Sequence, residues 1–161
     1  MALKLTDPFW QTIGLGTLAG MRAMSAPAIT SHILSHHHSN KLEGGPLNLM
    51  QSEKVAMVLK VLAVGEFLGD KLPSAPNRIN PIGLTGRFLS GALAGASIYK
   101  ASGNNAMTGA LIGGTTAAAS TFVSFFIRKN TVKRTTILDP VIGMIEDALV
   151  AASGATLVTA A

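Results

Sequence analysis

The chain contains no cysteine. A disulfide framework, a thiolate metal site and a cysteine nucleophile are therefore excluded, and the redox compartment is left undetermined. Charge is scarce too: Asp, Glu, Lys and Arg make up 13% of the 161 residues, against about 25% in an average soluble domain. No Walker phosphate loop, Gly-x-Ser-x-Gly elbow or His-Glu-x-x-His pair occurs, so soluble-type catalysis has no foothold, and no cofactor is implied. A net charge of +5 does not point to nucleic acid, because the basic residues gather at the ends of apolar segments rather than along one exposed face.

What the chain does hold is apolar: 48% hydrophobic residues and 17 Gly, with a mean hydropathy of +0.41. The uncharged run from Ala101 to Ile127 exceeds the roughly 20 residues an α-helix needs to cross a bilayer core. Hydropathy and punctuation predict an all-α integral membrane helical bundle, one domain over residues 1–161, with five transmembrane helices at about 9–34, 53–72, 82–100, 105–128 and 138–159. Each start carries a capping or turn-fixing signal: Asp7-Pro8, Ser52-Glu53, Asn80-Pro81, Asn104-Asn105 and Asp139-Pro140. Pro27 predicts a kink or break in the first helix, with a re-entrant segment as the alternative. Lys4, the apolar Ile13–Met21 and Ser25-Ala26-Pro27-Ala28 have the outline of a signal peptide, but Asp7 and Arg22 flank it badly.

Gly-x-x-x-Gly pairs fall in each of the first four helices: Gly16/Gly20, Gly65/Gly69, Gly91/Gly95 and Gly109/Gly113. Small residues four apart share a face and let helix backbones approach closely, within one chain or between copies. Against this background Arg22, Glu66, Asp70, Arg87, Glu146 and Asp147 stand out. A charge at mid-bilayer costs about 2.5–3.5 kcal/mol on insertion scales and normally faces a partner or a wet cavity. Glu66 and Asp70 stack on one face, beside the Gly65/Gly69 stripe, and Arg87 shares the stripe of Gly83, Gly91 and Gly95. Glu146 and Asp147 lie on the face of Gly143 and Gly154, whereas Arg22 points away from Gly20, to the side of Ala19 and Ala26. The depths allow one cluster, with Arg22 pairing with Glu66 or Glu146 and Arg87 with Asp70 or Asp147. The acids outnumber the bases, and a surplus carboxylate in apolar surroundings takes a proton or holds a cation.

Two functions remain open on these residues. One is a small transporter or permease that uses the carboxylates for proton or cation coupling, with the arginines as counter-charges or ligands for an anion. The other is a structural or assembly subunit that packs on membrane partners or on copies of itself and uses the charges as internal locks. An acidic helix follows a small-residue helix in both the first and last pairs, a weak inverted repeat. No proline breaks the fourth helix to match Pro27. His32 and His36 share a helical face suited to a metal, but no further ligand follows, and a solvated loop explains the four histidines better. Lys4, Lys71, Arg78, Arg128, Lys129, Lys133 and Arg134 against Lys41, Lys54 and Lys100 place the N-terminus in the cytoplasm in a five-span arrangement. The Arg128–Arg134 stretch is basic enough to meet anionic lipid headgroups, although setting the topology accounts for it more simply.

The strings Gly20-Met-Arg-Ala-Met-Ser-Ala-Pro-Ala28, Gly65-Glu-Phe-Leu-Gly-Asp-Lys-Leu-Pro73, Gly86-Arg-Phe-Leu-Ser-Gly-Ala-Leu-Ala-Gly95 and Asp139-Pro through Glu146-Asp-Ala148 resemble a bacterial family of small multi-pass membrane proteins classed as a domain of unknown function. The resemblance covers about Gly14 to Gly154. It implies a bacterial inner-membrane setting and no particular activity. Its strings contain the six charged positions, and the histidine loop lies outside them.

Overall fold

A computed structural model describes residues 7–69, 80–134 and 139–160. Six α-helices form: α1 (Pro8–Met21), α2 (Ser25–His36), α3 (Glu53–Gly69), α4 (Pro81–Ala101), α5 (Ala106–Arg134) and α6 (Asp139–Ala160), with no strand among the described residues. Three of the expected caps accept a hydrogen bond through the side chain, whereas no side-chain capping bond is formed by Ser52 ahead of α3 among the described residues. Asp7 accepts from the Phe9 amide at 2.9 Å, Asn80 from Ile82 at 3.4 Å and Asn105 from Met107 at 2.8 Å. After α4, the Gly103 amide donates to Lys100 O and the Asn104 amide to Tyr99 O. This double bond ends the helix on a left-handed Gly103, φ 87°, so α5 can fold straight back along α4.

The α4–α5 hairpin and α1 make a tight core through three of the four glycine pairs. A Cβ added at Gly95 would fall on the Gly109 carbonyl oxygen, and one at Gly109 on that of Gly95; Gly91 and Gly113 stand in the same reciprocal relation. Gly16 and Gly20 meet α5 at Gly113–Thr116 and Ala117–Ser120. With backbones this close, dispersion contacts between main chains are maximised along the seam. A Cβ added at Gly65, in the fourth pair, meets nothing within 4 Å among the described residues.

Residues 9–34 do not run through as a single helix. Gly16 and Gly20 advance along α5 in the same direction as Gly113 and Ala117. By contrast α2 retraces the path: Ala23 touches Ser90, Ala26 packs with Ala94 and Ile98, and Leu34 reaches Ala101. Helix α6 meets both arms at one level, with Leu157 against Gly14 and Gly154 against Ile29. So α1 and α2 form a re-entrant hairpin that enters and leaves at the end carrying the α4–α5 turn. About 16 Å of α4 separates its tip, at Ser90, from Ala101, and about 14 Å separates Ser90 from Pro81. The tip thus lies halfway along the bundle.

The chain returns from α2 through two 3-10 turns, Asn40–Leu42 and Pro46–Gln51. His36 and His38 are exposed, as are Asn40, Lys41 and Glu43 at the first turn, and two apolar side chains anchor the segment. Leu42 and Met50 are buried with Leu34 and Ala101, and Ser31 donates to Met50 O at 2.8 Å. Helix α3 then descends along α2, α5 continues past the start of α4 to Arg134, and α6 climbs back along the hairpin. The apolar core also encloses polar side chains, with Thr12, Thr30, Ser31, Ser97 and Thr121 fully buried, whereas Met57, Val61, Leu68, Ile82, Met107 and Ile127 are exposed. Two helical stretches, Ala106–Val132 and Val141–Thr159, are long and apolar enough to cross a membrane.

Candidate functional site at the hairpin tip

The tip spans Arg22, Ala23 and Met24, where leaving the helix frees main-chain groups that a continuous helix would pair internally. In this apolar bundle each of them needs a partner. The amides of Ala23 and Met24 donate to the two carboxylate oxygens of Glu66, at 2.8 and 2.7 Å. The Gly20 carbonyl, deprived of the Met24 amide, accepts from the Thr121 hydroxyl at 3.2 Å. Pro27 has no N–H to give the Ala23 carbonyl, and the Ser90 hydroxyl bonds that carbonyl instead. The break therefore falls at Arg22–Met24, ahead of Pro27, which sits in the first turn of α2 where a missing N–H costs little.

S90A is expected to cost about 1–2 kcal/mol, because it leaves the Ala23 carbonyl without its donor. S97A is the control: the Ser97 hydroxyl bonds only the Leu93 carbonyl one turn back in its own helix, and its loss is expected to be near neutral. Unfolding midpoints in mixed detergent compare the two.

Arg22 stands at the C-cap of α1 in an extended conformation, φ −141° and ψ 110°. Helical-wheel reasoning about its face fails for that reason. Its side chain is 2% exposed and grips Asp147 of α6, with Nε and Nη2 at 2.9 and 2.5 Å from one carboxylate oxygen. The expected pairing of Arg22 with Glu66 or Glu146 is corrected: Glu66 is drawn to the amides of the α2 N-terminus, where the helix dipole also favours an anion. Glu146 lies 3.7 Å from Arg128. Sequence reasoning had given Arg128 to a loop, but α5 continues through Arg134 and brings it alongside α6. Asp147 is taken by Arg22, so the alternative pairing of Arg87 with Asp147 is not formed; Arg87 is buried on α4, and Asp70 lies outside the described residues. Glu66 meets no cationic side chain among the described residues.

Ser90, Thr121 and Arg128 were missed. The first had a readable signal, since Pro27 guarantees an unpartnered carbonyl four residues earlier; the others are set by helix register alone. Above the tip, on the two arms of the hairpin, the Gln11 amide and the hydroxyls of Thr12 and Thr30 are buried without a hydrogen-bond partner in the protein. His32 and His36 stack edge to face at 4.4 Å, with Lys60 Nζ 3.0 Å from His32 Nδ1. An ammonium thus stands where a metal would bind, and no group of three His, Asp or Glu side chains converges among the described residues.

Fold and site together define an all-helical bundle with exposed apolar side chains, a core that encloses polar groups and a helical hairpin whose charged tip reaches its middle. Residues 10–160 match the family described as Domain of unknown function (DUF4126), and the chain belongs to that family. No curated protein and no solved structure shows significant similarity to it.

Proposed function

We propose that the protein is a small membrane transporter or permease in which Glu66, seated on the hairpin tip, is the proton- or cation-coupling group. The observation that carries this reading is the Glu66 carboxylate held by two main-chain amides at mid-depth with no cationic side chain among its described contacts. Protonation removes the charge and turns one oxygen into a donor, so both amides cannot keep their bonds. Proton binding is thereby tied to release of the hairpin from α3. The unpartnered polar atoms of Gln11, Thr12 and Thr30 support a wettable path between the tip and the turn end. Re-entrant half-helices whose N-termini reach the midplane recur in carriers, although α5 is unbroken and supplies no second half for an inverted repeat.

In this reading α3, α4, α5 and α6 cross the bilayer and α1–α2 dips into it, placing both ends of the chain on one side. Arg128, Lys129, Lys133 and Arg134, in the last turns of α5 at the opposite end, make that end cytoplasmic and set the N-terminus outside, opposite to the five-span expectation. Exposed Phe9 and Trp10 at the start of α1 suit the outer interface. The setting is a bacterial inner membrane.

In liposomes loaded with a pH dye, the reconstituted protein is expected to carry protons down an imposed gradient, and E66Q to reduce that flux at least tenfold. Equal flux in E66Q, or none in the native protein with protons, sodium or potassium, would overturn the proposal. A second reading, a structural or assembly subunit, is favoured by the paired Arg22–Asp147 and Arg128–Glu146 contacts. It predicts that E66Q alters stability while no flux exists to lose.

A further inference from the structure

Helix α3 is held differently from the rest of the bundle. The backbones of α1, α4 and α5 are locked together along the glycine seams, whereas α3 packs on α2 and the Pro46–Gln51 turn and hardly on any other element among the described residues. Its attachment is uneven along its length. At the turn end Ala56 is buried, and Leu59 packs on the cluster of Leu34, Leu42, Met50 and Ala101. Beyond Leu59, Ala63 is the one buried apolar side chain among the described residues; Val61, Leu62, Val64 and Leu68 are exposed, and a Cβ at Gly65 would meet nothing. Apolar contact therefore anchors one end of α3 and barely engages the other.

Two polar clips hold the free end. Glu66 binds the Ala23 and Met24 amides, and about 9 Å nearer the anchor Lys60 Nζ lies 3.0 Å from His32 Nδ1. An ammonium can only donate, so His32 accepts at Nδ1 and is neutral. Each clip has an acceptor that a proton abolishes. A protonated Glu66 cannot accept from both amides, and a protonated His32 turns an N–H and a positive charge toward Lys60. The neighbours do not compensate. The Pro46–Gln51 turn has no titratable side chain, α2 faces His32 with the His36 ring at 4.4 Å, and Arg22, beside the tip amides, is bound to Asp147 of α6. No carboxylate lies within ion-pair distance of His32 among the described residues.

We propose that α3 is an acid-released gate: when Glu66 and His32 take protons, its tip end swings off α2 about the anchor at Ala56–Leu59. The swing uncovers the Ala23 and Met24 amides and the α2 face between them and His32, and so opens the bundle at mid-depth on one side. Little apolar contact is lost, because the swinging half buries little. The gate rests on Glu66 as the protonated group and not on the passage of any solute.

The chain has no cysteine, so spin labels at L68C and V123C, both exposed positions, report one distance by pulsed double resonance in nanodiscs. Leu68 lies about 13 Å from the pivot, and a tilt of about 20° lengthens the distance by about 5 Å between about pH 8 and about pH 5. A pair at M57C and M107C, toward the anchored end, is expected to stay constant. E66Q, whose amide offers one acceptor to two donors, is expected to be open at both pH values, and K60M, with one clip gone, to open at higher pH than the native chain. An unchanged Leu68–Val123 distance across the pH range overturns the gate, whether or not E66Q folds. Lengthening of both pairs overturns the pivot, and equal midpoints for K60M and the native chain overturn the clip at His32. Opening without proton flux keeps the gate and sinks the transport reading; flux at a fixed distance does the reverse.

Discussion

R22M is expected to lower stability by about 3–5 kcal/mol, while R22M and D147L together cost much less. Arg22 is 2% exposed and Asp147 17% exposed, so removing the cation strands a largely buried carboxylate between α6 and the hairpin. Removing both leaves an apolar contact in an apolar bundle. Unfolding in mixed detergent for the two single variants and the double variant closes the cycle. A double variant as unstable as the sum of its parts would show that Arg22 and Asp147 do not act as a pair. The same variants separate lock from coupling group: the pair fastens α6 to the tip, and the double variant is expected to retain proton flux if Glu66 alone couples it.

The second large effect concerns two motifs of identical spelling and opposite consequence. G95V is expected to cost about 3 kcal/mol or more, because its Cβ meets the Gly109 main chain, which no side-chain rotation can clear. G65A is expected to be neutral or to stabilise by about 0.5–1 kcal/mol, since nothing lies within 4 Å of it and alanine is the better helix former. Thermal melts in one detergent test both. A destabilised G65A would mean that its face is covered by another copy of the chain, the oligomer expected from the sequence.

Helix existence was legible because apolar runs and capping residues are local: Asp7, Asn80 and Asn105 cap where the sequence places them. Pro27 announced a discontinuity but not its form. Whether a break bends a helix or turns it back depends on what receives the freed groups, here Glu66, Ser90 and Thr121 from three other helices. The pairings failed for a related reason. Arg22 had left the helix, so its direction was not set by 100° steps, and Arg128, expected at the very end of its helix, stands inside it because α5 continues to Arg134.

The sequence by itself determined an apolar, helical chain with six charges that need partners and four stripes able to pack, since composition, spacing and capping act within a few residues. Tertiary structure alone decided which stripe meets which and that residues 9–34 double back. It also decided that Glu66 serves two amides rather than an arginine. Those outcomes depend on the relative register of helices far apart in the chain, and inside an apolar core each unpaired polar group takes whichever partner that register brings within reach.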